Sequence, residues 1–212
     1  MAYSTFLTAA KSRVDLDVVE KSVLLVLVVL LALRMVPAVV ERGEIISMIL
    51  LAGEAVVVGF VLFRRRARQL SRGWGDWAIG FAGMLAPLMV MPGSGQPMIP
   101  SAWCGLLMVT GFAVQMAAKF ALARSFGVVP ANRGVKAGGP YRIVRHPMYL
   151  GYFLTHLGFL IAGPTWWNLA VYAATYVLQV ARVVAEERLL MADPAYRSYA
   201  ATTKYRLIPL LF

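Results

Sequence analysis

Long apolar runs, broken by short loops that carry either several arginines or no charge at all, constrain this chain more than any other feature. Six runs can be drawn: Val19–Val40, Ile45–Phe63, Trp77–Met91, Ala102–Ala123, Met148–Ala162 and Trp166–Ala185. The first, second, fourth and sixth approach the roughly 20 residues a helix needs to cross a bilayer, and the third and fifth are short enough to be tilted or partly embedded. The chain of 212 residues is 60% hydrophobic, with a mean hydropathy of +0.70, against roughly 45–50% apolar residues in an ordinary globular domain. The pattern predicts an all-α, polytopic integral membrane protein with about five to six transmembrane helices. No internal repeat or low-complexity tract interrupts it.

The net charge of +11 raises the question of nucleic acid, but its distribution argues against that partner. The cations gather in loops: Arg64, Arg65, Arg66, Arg68 and Arg72 after the second run, Arg124, Arg133, Lys136, Arg142 and Arg145 after the fourth, and Arg182, Arg188, Arg197, Lys204 and Arg206 toward the end. The segments Pro92–Pro100 and Gly163–Thr165 carry no charge. The positive-inside rule then puts the arginine loops and both termini in the cytoplasm, in a membrane such as a prokaryotic inner membrane. The cluster from Arg64 to Arg68 reads as topology and headgroup contact. The N-terminus does not read as a cleavable signal, because acids precede the first long apolar run near Val23.

Several chemistries are disfavoured. Cys104 is the one cysteine and His146 and His156 the two histidines, too few for a zinc site. No serine or cysteine sits in a nucleophile setting beside a histidine and an acid. The glycines at Gly93 and Gly95 lie in an uncharged loop with no strand before them, so they are no dinucleotide fingerprint.

Two polar clusters remain, and topology brings them to one membrane face. "GPYRIVRHPMYLG" (Gly139–Gly151) opens the fifth run, and "AEERLLMADPAYRSY" (Ala185–Tyr199) follows the sixth. A tight hairpin turning at Gly163–Pro164 would set them opposite each other, and convergence of this kind is what a site needs. The residues suit a zwitterionic, aromatic-bearing ligand: carboxylates for an ammonium or hydroxyls, tyrosine and histidine rings for a flat group, and arginines for an anionic acceptor.

Taken in order, the RHPxYxG segment, the Glu186–Glu187 pair, Tyr196 and Tyr199, and the closing "YRLIP" (Tyr205–Pro209) resemble the membrane family of isoprenylcysteine carboxyl methyltransferases and phospholipid methyltransferases. The likeness covers about residues 105–212 and includes "AAKFALARSFG" (Ala117–Gly127), similar to the helix end before the family's cofactor loop. It divides the chain into N-terminal membrane helices (1–100) and a methyltransferase core (101–212). The resemblance implies S-adenosylmethionine as cofactor, held by Tyr141, Arg145, His146, Pro147, Tyr149, Leu150, Gly151, Glu187, Tyr196 and Tyr199. Arg206 and Pro209 match the tail that folds over it. A histidine usual in the family shortly before the GPY segment is missing, as is a Phe-Gly after the Glu pair.

Methyl transfer from a sulfonium needs alignment more than acid–base help. A carboxylate acceptor, such as a prenylcysteine, would need a cation to orient it, and Arg182, one turn before Glu186, is the expected one. An amine acceptor, such as a phospholipid headgroup, would need a base, and Glu186 is the candidate; a small thiol is a further alternative. The expected partners are a lipid-like or prenylated acceptor and the membrane lipid itself. A transporter is the rival from another class, resting on Glu54 and His156 inside apolar runs, where ionisable side chains are costly. Gln115 and Lys119 also lie inside a run, with Lys119 placed to snorkel toward the cytoplasmic end.

Overall fold

The structure, a computed structural model, describes residues 15–42, 55–91 and 95–208. Glu54, Gly93 and Pro209, singled out in the sequence, lie outside the described residues. The elements are α1 (Leu16–Arg42), α2 (55–62), β1 (Gln69–Leu70), α3 (Trp74–Leu85), α4 (Ser101–Leu122), β2 (Ala131–Asn132), α5 (Pro147–Ala162), α6 (Trp166–Leu190) and α7 (Pro194–Thr202). The fold is mostly helical, as the apolar periodicity requires. Among the described residues, two segments, Ser101–Ser125 and Trp166–Leu190, are long and apolar enough to cross a membrane, and α5 is a shorter apolar helix. Trp103, Val109 and Phe120 on α4 and Val177 and Val184 on α6 are exposed, the outward apolar face that lipid accepts and water does not.

Local chemistry sets the helix ends near the site. Pro147 occupies the first position of α5, where its missing N–H leaves no orphan donor. Thr165 caps α6 by accepting the N–H of Asn168, and Asp193 caps α7 by accepting that of Ala195. Asn168, buried, bonds both the N–H and the carbonyl of Met91 through its side chain, fixing the end of the segment after α3.

The expected tight hairpin of α5 and α6 is corrected. α5 packs along α4 instead. A Cβ placed on Gly151 would meet the backbone N of Gln115 and the carbonyl of Gly111 at 2.7 Å, and one on Gly158 would meet the Cys104 carbonyl at 2.8 Å. Small residues allow that close approach, which larger ones forbid. α6 packs on α3, where Gln179 donates to the Gly83 carbonyl at 3.1 Å. Between α5 and α6 stand aromatic spacers: His156 stacks on Tyr172 at 4.7 Å and is hydrogen-bonded to the Tyr176 hydroxyl at 2.9 Å. The hairpin is therefore held open, and the space between its arms is the site.

The two arginine loops pair with each other. β1 and β2 are antiparallel, Gln69 opposite Asn132 and Leu70 opposite Ala131, and Arg65 donates its N–H to the Arg124 carbonyl at 2.7 Å. Arg64, expected at the headgroups, is instead buried. Its guanidinium meets Glu20 at 3.0 Å and Asp17 at 3.3 Å, and Arg133 meets the same two carboxylates at 2.7 and 2.8 Å. Burial pulls the Arg64 pKa below its ordinary value, with Glu20 opposing the shift. Arg66 is exposed and pairs with Asp15 at 3.3 Å.

Candidate functional site

A cavity of about 460 Å³ opens between α4, α5, α6 and the loop from Ser125 to Lys136. Its walls carry Arg182 and Glu186 from α6, Tyr149 and Tyr152 from α5, Tyr141 from the turn before α5, and Tyr196 and Tyr199 from α7. Met84, Pro87, Leu88 and Phe112 form an apolar arm, and Leu24 and Val28 of α1 also reach the wall.

Glu187 organises the arginine-loop side of the site without lining the cavity. One carboxylate oxygen meets Arg145 at 3.1 Å and His146 Nε2 at 3.2 Å and accepts from the Tyr196 hydroxyl at 3.5 Å; the other accepts from Arg206 Nε at 2.7 Å. It is buried, and a carboxylate removed from water needs that many donors. The chain then returns over the His-Pro step. Arg145 and His146 donate their backbone N–H groups to the carbonyls of Tyr205 and Arg206 at 2.9 and 2.8 Å, and Arg145 also reaches the Lys204 carbonyl. Tyr199 donates to the Tyr141 carbonyl at 2.7 Å. Burial pushes the Tyr199 phenol up to about 12 and raises those of Tyr141 and Tyr196 well above their usual value, with nearby Glu186 adding to Tyr141 and Glu187 to Tyr196. All three stay protonated hydrogen-bond donors at neutral pH.

Arg182 sits deeper. Its guanidinium lies 5.4 Å over the Tyr149 ring and donates to the Val128 carbonyl at 3.2 Å and to Gln179 at 3.3 Å. The contacts hold it against the wall with its plane over an aromatic face.

The structure thus brings Tyr141, Arg145, His146, Tyr149, Arg182, Glu186, Glu187, Tyr196 and Tyr199 to one place. Besides Glu187, three sequence candidates do not line the cavity. Pro147 is buried as the start of α5, Leu150 faces elsewhere on that helix, and Gly151 is spent on packing against α4. Sequence reasoning missed Glu20, whose Oε1 accepts the N–H groups of Val128 and Val129 at 2.8 and 3.0 Å, and so supports the wall peptide whose carbonyl holds Arg182.

Residues 101–196 match the family model described as phospholipid methyltransferase. That segment, somewhat under half of the chain, is similar to the phospholipid methyltransferase family. No curated protein matches the chain. The matched segment runs from the start of α4 to Tyr196, so it contains the His146–Glu187 contact, Arg182 and Glu186. Glu20, Tyr199 and Arg206 lie outside it: Tyr199 lines the cavity, while Glu20 and Arg206 brace it through Val128 and Glu187.

Proposed function

We propose that the chain is an S-adenosylmethionine-dependent membrane methyltransferase whose acceptor is a lipid-like carboxylate, as in a prenylcysteine, taken from the leaflet on the side of the arginine loops. That side is cytoplasmic by the charge rule, with about five to six spans in the whole chain and the core in residues 101–212. The observation that carries the reading is a single cavity joining Glu186, Arg182 and the tyrosines to an apolar arm at Met84, Pro87, Leu88 and Phe112. Its volume of about 460 Å³ falls in the usual range for small-molecule sites.

The wall fits such a donor. Glu186 suits an ammonium or ribose hydroxyls, tyrosine rings suit a flat base, and basic side chains suit a carboxylate. Once bound, S-adenosylmethionine supplies a methyl group already activated on sulfur. The chain's task is then alignment, an effect worth about 7–11 kcal/mol when complete. Arg182, held by the Val128 carbonyl and the Tyr149 face, orients an acceptor oxygen. Glu187, through Arg145, His146 and Arg206, holds the returning tail across the site and keeps water out.

A phospholipid amine is the alternative acceptor, favoured by one observation: Glu186 is the acid among the described lining residues and would take the amine proton. Calorimetry of S-adenosylmethionine with the purified protein in detergent, beside a variant with His146 and Glu187 both changed to Ala, tests the cofactor. Binding by wild type and its loss in the variant is expected; no binding by a folded wild type overturns the reading. Glu186→Gln then separates the acceptors when assayed at saturating donor, since any weakening of donor binding is then masked and transfer to an amine should fall far more than transfer to a carboxylate.

A further inference from the structure

Lys119 does not snorkel to the surface. Phe112, Gln115, Lys119 and Leu122, spaced by three and four residues, form the stripe of α4 that faces the cavity, and Lys119 stands inside it at 8% exposure. Gln115 is occupied by Thr155 of α5 at 3.0 Å. The other buried cations of this wall have protein partners: Arg133 has Asp17 and Glu20, Arg145 has Glu187, and Arg182 has a carbonyl, an amide and a ring. Lys119 has no hydrogen-bond or ion-pair partner among the described residues, and Glu186 of the same cavity does not reach it. An ammonium that faces an enclosed cavity with no anion beside it is less well solvated than one in open water. That shortfall is made good when a ligand brings the missing charge.

We propose that Lys119 is the carboxylate anchor of this cavity, an assignment that rests on the methyltransferase reading and adds a ligand-binding residue to it. One ammonium calls for one negative charge, and Lys119 has no protein partner among the described residues to give up, whereas Arg182 already donates to Gln179 and to the Val128 carbonyl through its two terminal nitrogens. The carboxylate has two sources in such an enzyme, the amino-acid end of the donor and the acid group of the acceptor.

The test is calorimetry in detergent on wild type, Lys119→Met and Lys119→Arg. Two probe pairs differ in the carboxylate: S-adenosylmethionine against its decarboxylated form, and N-acetyl-S-farnesylcysteine against its methyl ester. If the donor is the source, wild type prefers the intact donor by about tenfold or more, Lys119→Met binds both forms alike, and Lys119→Arg recovers part of the preference. If the acceptor is the source, the same pattern appears in the second pair and the first is unmoved. A preference that survives Lys119→Met in both pairs overturns the anchor, as does its absence from a wild type that binds the donor. A folded wild type that binds no donor at all overturns the methyltransferase reading as well. A melting curve of the ligand-free proteins supplies an independent check: removing an unpaired buried charge should raise the midpoint of Lys119→Met, and a lowered midpoint would show that the ammonium is satisfied without ligand.

Discussion

Glu20, in the first turns of α1, accepts the backbone N–H of Val128, 108 positions further along the chain, at 2.8 Å. The same carboxylate takes the N–H of Val129 and binds Arg64 and Arg133. A wall of the cavity is thereby fixed from a helix outside the family segment.

Changing Glu20 to Gln should cost roughly 3 kcal/mol of stability, the lower end for breaking a buried charge network, because Asp17 still faces both guanidiniums at 3.3 and 2.8 Å. Thermal unfolding in detergent measures it. Replacing Glu20, Arg64 and Arg133 together with apolar residues should recover most of that loss, since the network's desolvation cost goes with it.

Glu187→Gln should raise the dissociation constant for S-adenosylhomocysteine by about 30- to 100-fold, roughly 2–3 kcal/mol, by releasing Arg145, His146 and Arg206 at once. Arg206→Ala should do less, about threefold, because that side chain is 37% exposed and water screens its pair. Calorimetry that found the two variants equal would contradict this order.

Gly151→Ala should destabilise by about 1–3 kcal/mol, the usual cost of overpacking, since the new methyl meets backbone of α4 at 2.7 Å. Gly105→Ala, with open space around it, should be neutral or slightly stabilising. Paired melting curves decide between them.

Alkaline stability should respond to the phenols of the site. Tyr199 rises from a usual 10 to about 12 on folding, so the folded state holds its proton more firmly. That contribution is complete below about pH 10 and is lost as pH climbs toward 12. Melting midpoints should hold level to pH 10 and then fall, less steeply in Tyr199→Phe. The variant itself loses about 1 kcal/mol at neutral pH with its bond to the Tyr141 carbonyl.

The meeting of His146 with Glu187, and of Tyr141 with Tyr199, could be anticipated because both follow from motif order and from two loops sharing one membrane face. Which helix α5 packs on could not be taken from that topology. A signal was nonetheless present: Cys104, Gly111 and Ala118 recur every seven residues on α4, and Gly151 and Gly158 do so on α5. Both are stripes of small residues that permit close helix contact. Glu20 left no such trace. An acid at the start of an apolar helix reads as a solvated end, and its partners lie over a hundred positions away with no spacing to reveal them. Lys119 was ambiguous for a related reason, because a long side chain near a helix end can turn either way and the cavity exists only once α6 is in place.

The backbone pairing of Arg145 and His146 with Tyr205 and Arg206 bears on how the molecule is made. During synthesis, α4, α5 and α6 leave the ribosome before the segment that pairs with the His-Pro step. Until Tyr205 and Arg206 emerge, Arg145 and His146 have two backbone donors unmet, and Glu187 lacks its shortest contact. A nascent chain can therefore hold all of these helices and still lack the contacts that brace Glu187 and the His-Pro step; the order of synthesis makes that bracing a late event.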